Sequence, residues 1–268
     1  MVIGVEKYNP KDIMLFISFP KRKLAEIFIK LKNIPGALAE TSDLLFRYGV
    51  NILTGIHIAG APNVGYWIFF ADFTNAIEPP GIIVEKLRTL DKVVDVKYVE
   101  SENFIMESFL YPVISWDRRC VIMDAEQLGL SLTKMKELLG SGGAMLLFYQ
   151  GFEYGSQLMK WIKKVIEYKM STEDLLKILF KTYRTSGWGL AELIMKDEEK
   201  KVFIIRVYEC FEALSSSNTK IEDKSCDFNR GFWSGALSEI LGVKMRAMEE
   251  KCIRKGDSYC EFKVKLWD

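Results

Sequence analysis

Histidine is nearly absent from this sequence: its 268 residues include one, His57. Metal sites that need two or three imidazole ligands are therefore excluded, and nothing marks His57 as the base of a Ser-His-Asp triad. We interpret it as a half-buried histidine of a sheet. Strong net charge is missing too, because 37 Lys+Arg residues balance 36 Asp+Glu residues. No global field therefore attracts nucleic acid or an anionic membrane.

Long apolar runs are also absent. No segment approaches the roughly 20 apolar residues of a membrane-spanning helix, and the start of the chain lacks the pattern of a signal peptide. These absences predict a soluble, cytoplasmic protein that does not bind membranes. Two glycine-rich segments, 140–143 and 151–155, lack the lysine of a P-loop and the spacing of a dinucleotide-binding turn. Helix breaks and close helix packing explain them better.

The apolar pattern predicts two domains in an α+β protein. Residues 22–101 follow the order βαββαβ, which is typical of a ferredoxin-like sheet with both helices on one face. Prolines predict an irregular lead-in at 1–21, and large apolar side chains predict a docked connector at 102–115. Residues 116–268 combine several helices with a hairpin and a final pair of strands, which predicts a second α+β domain.

A sharp turn in the first domain is a candidate ligand site. Pro35 and Gly36 let a strand turn into a helix whose first N–H groups are free to bind a carboxylate. Asn33 and Asn51 carry donors and acceptors that suit the backbone of an amino acid, although asparagines that merely cap a turn and a strand edge are the alternative. The candidate ligand-binding residues of this domain are Asn33, Gly36, Ala37, Leu38 and Asn51.

The segment from Lys32 to Leu38, followed by Asn51 in the βαββαβ order, resembles the ACT domain, a regulatory module. The resemblance implies a homodimer that binds an amino acid where two copies meet. In serine-binding members, the positions that match the two asparagines contact the ligand. Those members carry a histidine where this chain has Leu31, so the identity of the ligand stays open.

Three of the five cysteines lie in the last sixth of the chain, close to a glutamate. Soft thiolates and one carboxylate suit a closed tetrahedral zinc site, whereas buried, reduced core cysteines are the alternative. The candidate metal ligands are Cys226, Glu249, Cys252 and Cys260. The other two cysteines, Cys120 and Cys210, lie in strand-like apolar runs and are predicted to be core residues.

The ligand spacing and the run Gly-Phe-Trp-Ser-Gly at 231–235 resemble the 4-vinyl-reductase-like domain. In phenol-responsive members a zinc ion is held by Cys, Glu, Cys and Cys in this chain order, so the resemblance implies a structural zinc. Those members recognise the phenol hydroxyl with a histidine and a tryptophan. This domain has no histidine, so phenol sensing is not carried over. Trp188 and Trp233 are candidate contacts in an apolar pocket, although core packing is the alternative.

These features predict an archaeal-type regulatory protein rather than an enzyme. Its ACT dimer would bind an amino acid or similar molecule, and its zinc-stabilised 4-vinyl-reductase-like domain would bind a small apolar ligand, with a protein partner carrying the output. Two alternatives stay open. One is a tetrapyrrole-related reductase or accessory protein, which lacks a flavin or nicotinamide signature here. The other is a nucleic-acid-associated transcriptional regulator, for which only local basic segments such as Lys21–Lys23 speak.

Overall fold

The computed structural model describes residues 10–115, 117–166, 168, 170–215 and 225–267. Positions 1–9 of the predicted lead-in, the predicted domain boundary at Trp116 and the last residue, Asp268, lie outside these ranges. The chain forms two compact units, Met1–Cys120 and Val121–Asp268. The domain boundaries given above stay predictions. Within the described ranges, no helix is both long and apolar enough to cross a membrane.

The first unit has the predicted ferredoxin-like architecture. Its elements are β1 (Phe16–Lys32), α1 (Ala37–Arg47), β2 (Asn51–Ala61), β3 (Val64–Asp72), α2 (Pro80–Arg88), β4 (Val93–Met106), and the short strands β5 (Ile114–Ser115) and β6 (Arg118–Arg119). The four long strands form an antiparallel sheet in the order β2-β3-β1-β4. The predicted fold class is therefore confirmed for this unit.

Alternation along β1 builds the core of this unit. Ala25, Ile27, Ile29 and Leu31 are buried in the cluster that includes residues of both helices, and each fully buried aliphatic side chain contributes about 1.5–3 kcal/mol. The intervening side chains point to the opposite face of the sheet, as the two-residue period of a strand requires. One strand thus supplies apolar groups to both faces.

Two expectations for the first unit are wrong. The lead-in is not irregular throughout, because β1 begins at Phe16, which pairs with Met106 at the end of β4. The β1–β4 register shifts between Ser18 and Lys23, and this irregularity accommodates Pro20, which has no N–H to donate. His57 lies on β2 as expected but is exposed rather than half-buried, since β2 is an edge strand.

The second unit places helices against a second antiparallel sheet. Its elements are α3 (Ala125–Leu139), α4 (Ser141–Val165), α5 (Thr172–Thr185), β7 (Leu190–Asp197), β8 (Val202–Tyr208), α6 (Phe211–Leu214), α7 (Asp227–Leu241), β9 (Met245–Lys251), a 3-10 turn (Ile253–Lys255) and β10 (Cys260–Leu266). The strand order is β7-β8-β10-β9. The predicted α+β class, the hairpin and the final pair of strands are confirmed.

The core prediction holds for one of the two remaining cysteines. Cys210 is fully buried, whereas Cys120 is only half-buried. The strand-like run that begins at Cys120 is not a strand, because strand pairing ends at Arg119 and helix α3 begins at Ala125. Apolar residues alone therefore misled the prediction where no partner strand was available.

Glycines bring helices α4 and α7 into backbone contact. A Cβ atom at Gly231 would lie 1.9 Å from the carbonyl oxygen of Phe148, and one at Gly151 would lie 2.0 Å from that of Phe228. Gly155 and Gly235 are equally closely faced by the other helix. Close packing, the explanation preferred for segment 151–155, is confirmed. The contact fixes α7, whose N-cap is the candidate ligand Cys226.

Candidate metal centre

The structure brings the four candidate metal ligands together. Cys226 caps α7, Glu249 lies on β9, Cys252 follows that strand, and Cys260 begins β10. One ligand atom from each side chain lies within 4.8 Å of those of the other three. The three cysteines are fully buried. Residues separated by up to 34 positions thus form a single cluster that could hold a metal ion.

The sulfur spacing fits a tetrahedral ion. The Sγ atom of Cys252 lies 3.7 Å from that of Cys226 and 3.9 Å from that of Cys260. A zinc–sulfur bond of about 2.3 Å in a tetrahedron separates neighbouring sulfurs by about 3.8 Å. A disulfide would need about 2.0 Å, and none of these three cysteines forms one with another described residue. The thiols are therefore spaced for a shared metal ion rather than for a covalent bond.

Glu249 supplies the oxygen donor of the cluster. Its side chain is 2% exposed, and its Oε2 atom accepts the N–H of Cys226 at 3.2 Å. Its Oε1 atom is buried without a hydrogen-bond partner among the described residues. Burial and the neighbouring Cys252 raise the pKa of this carboxyl to about 9. An orphaned carboxylate oxygen beside thiols is destabilising unless a cation approaches it, so the donor set fits a metal ion.

Hydrogen bonds among the thiols place negative charge unevenly. Hydrogen bonds from Cys226, and then from Cys260, lower the pKa of Cys252. Hydrogen bonding to Cys210 and Cys252 raises the pKa of Cys226 well above its ordinary value. Metal ligation requires deprotonated sulfur, so binding a cation here releases protons and is favoured by rising pH.

Arg254 anchors the loop between Cys252 and Cys260. It is almost fully buried, and its guanidinium donates to the carbonyl oxygens of Ser225 and Glu212 and, at 3.3 Å, to Thr133 Oγ1. These bonds tie the ligand loop to α3 and to the residue that precedes Cys226. In the sequence, Arg254 looks like one more charge on a solvated hairpin, and its burial gave no signal there.

Cys210 is the other functional residue that the sequence did not reveal. Its sulfur forms hydrogen bonds with the thiols of Cys226 and Cys260. Asn229 Nδ2 donates to this sulfur at 3.4 Å and to Glu212 Oε2 at 2.9 Å. The apolar run around Cys210 predicted burial correctly, but no spacing motif connected it with the other ligands.

Tyr183 joins this polar group to the aromatic core. Its hydroxyl donates to Asn229 Oδ1 at 2.6 Å, and its ring lies 4.9 Å from Trp233, centroid to centroid. Buried Glu212 accepts the backbone N–H groups of Phe228 and Asn229, and burial raises its pKa to about 7. A continuous chain of contacts therefore runs from Trp233 to the thiols.

Trp188 and Trp233, the candidate pocket residues, both belong to a cluster of packed rings. Trp188 lies 5.2 Å from Phe232 and 5.0 Å from Tyr154, whereas Trp233 is fully buried and lies 5.1 Å from Phe232. The indole Nε1 of Trp233 is buried and has no hydrogen-bond partner among the described residues. Tyr154, also expected beside the pocket, is half exposed. The rings thus form core, with one unpaired donor inside it.

The candidate ligand-binding residues of the first unit do not converge within one chain. The Nδ2 atom of Asn33 donates to the carbonyl oxygens of Ala61 and Pro62 at 3.4 and 3.2 Å. Asn51 begins β2 at the other end and pairs with Asp72. Since β2 has 11 residues, the two asparagines lie roughly 30 Å apart. They can contact one ligand only across two copies of the chain.

The turn between them keeps its backbone geometry. Gly36 has φ of 80°, a left-handed conformation that favours glycine, and it is the N-cap of α1. Ala37 is buried and Leu38 partly buried against the core of the unit. Their side chains are structural, so only backbone groups at this turn remain for a ligand.

Comparison with known proteins follows this division of the chain. The sequence model of the 4-vinyl-reductase domain matches residues 203–266, which include all four candidate ligands. An uncharacterized protein of Methanocaldococcus jannaschii is 29% identical over 106 residues, which are 40% of this chain. The match spans about three fifths of that relative, 59% of its length. The predicted 4-vinyl-reductase-like domain is confirmed for the matched residues.

Solved structures resemble each unit at low identity. The phenol-responsive sensory domain of the transcription activator PoxR is 17% identical, with a TM-score of 0.49 over 56% of this chain and 80% of that one. The ACT domain of GTP pyrophosphokinase from Chlorobium tepidum is 18% identical, with a TM-score of 0.26 over 29% of this chain and 99% of that one. Neither likeness carries a functional conclusion, and the assignment of the first unit to the ACT family stays a prediction.

Proposed function

We propose that this protein is a cytoplasmic, non-enzymatic small-molecule sensor. Its 4-vinyl-reductase-like domain holds a structural zinc ion and binds a small apolar ligand beside Trp188 and Trp233. Its first unit pairs with a second copy and binds an amino acid or similar molecule, and a protein partner receives the signal. The observation that carries the proposal is the unpaired indole N–H of Trp233 inside an aromatic cluster, next to a preformed set of metal ligands.

The metal part of the proposal is supported by the donor set. Cys226, Cys252 and Cys260 would supply three sulfurs and Glu249 one oxygen, which completes a tetrahedron and leaves no open position for chemistry. When bound, zinc supplies a cross-link among α7, β9 and β10. The ligand cluster does not exist in the unfolded chain, so the free energy of metal binding becomes free energy of folding.

The ligand part is supported by the unpaired donor. A buried N–H group without an acceptor destabilises the folded state by about 1–3 kcal/mol. Trp233 is surrounded by the rings of Tyr183, Phe180 and Phe232, and the hydroxyl of Tyr183 already donates to Asn229. A small apolar molecule with one oxygen acceptor would satisfy the indole and keep the remaining surface apolar. This chemistry defines the expected ligand class.

Coupling between the two sites is supported by their shared residues. Tyr183 contacts Trp233 through its ring and Asn229 through its hydroxyl, while Asn229 donates to the sulfur of Cys210. A ligand that shifts Trp233 therefore acts within three residues of the thiol cluster. Such a ligand would bias the protein only through its different affinity for the two arrangements.

A thermal-shift panel tests the ligand proposal. Small aromatic and aliphatic molecules with a hydroxyl, carbonyl or carboxyl group are added to the metal-loaded protein. We expect at least one to raise the Tm and to quench tryptophan fluorescence. Trp233→Phe keeps a ring but removes the N–H donor, so it should abolish the response. Trp267→Phe is the matched control, because Trp267 packs on Phe148 and Phe152 instead. An unresponsive wild-type protein, or equal responses in wild type and Trp233→Phe, would contradict the proposal.

The first unit is tested separately by amino-acid binding and mass. Light scattering should give the mass of a dimer, and an amino acid from a complete panel should bind where the copies meet. Asn33→Ala and Asn51→Ala should each weaken that binding. Mixing the two variants should restore part of it, because mixed dimers regain one intact site if the asparagines act across copies. A monomer, or binding indifferent to both substitutions, would overturn this part.

A further inference from the structure

Cys210 lies against the metal cluster without belonging to its closest four donors. Its sulfur contacts those of Cys226 and Cys260, and the same two thiols are neighbours of Cys252. The side chain is fully buried, on the same side of the chain's second sheet as the ligands it touches. The buried site therefore contains four sulfurs and one carboxylate, which is one donor more than a tetrahedral ion uses.

Two N–H groups hold the Cys210 sulfur in place. Asn229 Nδ2 donates to it at 3.4 Å, and the backbone N–H of Ala213 donates to it as well. Asn229 is itself fixed by Tyr183 and Glu212. Outer hydrogen bonds of this kind orient metal ligands and stabilise the thiolate form. Cys210 therefore has the surroundings of a ligand rather than those of an inert core cysteine.

The contacts define two overlapping sets of four ligands. Cys226 and Cys260 form an edge that Cys252 and Cys210 flank, so these four thiols can surround one ion. Glu249 completes the other set with the three sulfurs of its own cluster, and one of its oxygens is buried without a partner among the described residues. Moving from one set to the other requires an ion to shift away from Glu249 and toward Cys210.

We propose that Cys210 is an alternate metal ligand, which exchanges with Glu249 so that the centre holds its ion through either three sulfurs and one oxygen or four sulfurs. The proposal rests on the metal centre proposed above. In the exchange, the bond from the metal to the carboxylate breaks and a bond from the metal to the Cys210 thiolate forms. The thiol proton leaves to the released carboxylate or to water, and nothing is oxidised. Softer ions should favour the four-sulfur set.

Cobalt absorption tests the exchange in the full-length protein. Metal is removed by chelation and replaced by Co²⁺, whose sulfur-to-metal absorption grows with the number of bound thiolates. Glu249→Gln should keep one Co²⁺ per chain, and its absorption should exceed that of wild type in the ratio of about four to three. Adding Cys210→Ser to this variant should remove the gain and weaken binding by about tenfold or more. Equal spectra and equal affinities in the single and double variants would overturn the proposal.

Cadmium provides a second arm that leaves Glu249 intact. The soft Cd²⁺ ion should recruit all four sulfurs of the wild-type protein, so Cys210→Ser should lower its sulfur-to-metal absorption to about three quarters. Cys120→Ser is the matched control, since Cys120 lies in the other unit. Identical cadmium spectra for wild type and Cys210→Ser would overturn the proposal and leave the metal centre standing. Failure of the wild-type protein to bind either ion would overturn both.

Discussion

The two units differ in what they bury. The first encloses an apolar sheet whose buried charged groups are two carboxylates, Glu26 and Asp72, among the described residues. The second encloses an ion pair, Lys136–Asp227 at 2.6 Å, together with Arg254 and several thiols. Burying charge is costly unless it is paired or bound to metal. The comparison indicates that the second unit is organised around a site, whereas the first is organised around its sheet.

Loss of the metal should separate the units most sharply. Cys252→Ser removes the central sulfur of the cluster, and we expect the second unit to lose cooperative unfolding while the first keeps its sheet. The reason is that metal-binding energy contributes to folding only where the ligands lie. Hydrogen exchange, followed unit by unit, measures this. Equal protection of both units in wild type and variant would contradict the expected asymmetry.

Gly231→Ala should be the next largest effect. The new Cβ would meet the carbonyl oxygen of Phe148 at 1.9 Å, so α4 and α7 would be forced apart. We expect a loss of about 3 kcal/mol in the free energy of unfolding, measured by chemical denaturation. The control is Gly142→Ala on α4, where no atom lies within 4 Å of the new Cβ. That variant should be neutral or stabilised by up to about 1 kcal/mol, owing to the helix propensity of alanine.

Glu26 gives the first unit its own pH dependence. The carboxyl is fully buried, and burial followed by the charge of Glu107 raises its pKa from 4.5 to about 7. Its stabilising contribution is complete below about pH 4.5 and is lost as the pH rises through about 7, because the unfolded state ionises first. Glu26→Gln should therefore remove part of the decline in stability between these values, on the order of 2 kcal/mol. An unchanged difference in stability between pH 4.5 and 8 would show that Glu26 does not titrate this way.

Asn33→Ala should have the smallest effect on stability. The amide is exposed, and its two bonds to the carbonyl oxygens of Ala61 and Pro62 are long. We expect a loss of no more than about 1 kcal/mol, since exposed hydrogen bonds exchange with water. A larger loss, measured by thermal unfolding, would mean that the turn is structural and would weaken its interpretation as a ligand site.

The fold was predictable where periodicity was strong. Alternation along β1, and the switch to helical spacing after Gly36, gave the βαββαβ order of the first unit correctly. The extension of β1 back to Phe16 was missed because Pro20 suggests a break, and only pairing with β4 shows that the sheet absorbs it. The backbone contact between α4 and α7 was anticipated only as close packing, since its partner helices cannot be identified from one segment.

The candidate site was predictable in proportion to how few other uses its residues have. Clustered thiols beside Glu249 have few explanations besides a metal or a core, and all four side chains converge. Asn33 has many backbone uses, and its amide indeed caps a turn. Cys210 and Arg254 were missed because their roles depend on neighbours that are distant in sequence. Their burial and contacts appear only once α6, α7 and the ligand loop have come together.

The metal content of the purified wild-type protein tests the central claim most directly. Elemental analysis of a sample prepared without added metal or chelator should give one zinc ion per chain, and chelation should unfold the second unit. A folded protein that contains no metal, and whose second unit is indifferent to chelators and to added zinc, would contradict the account.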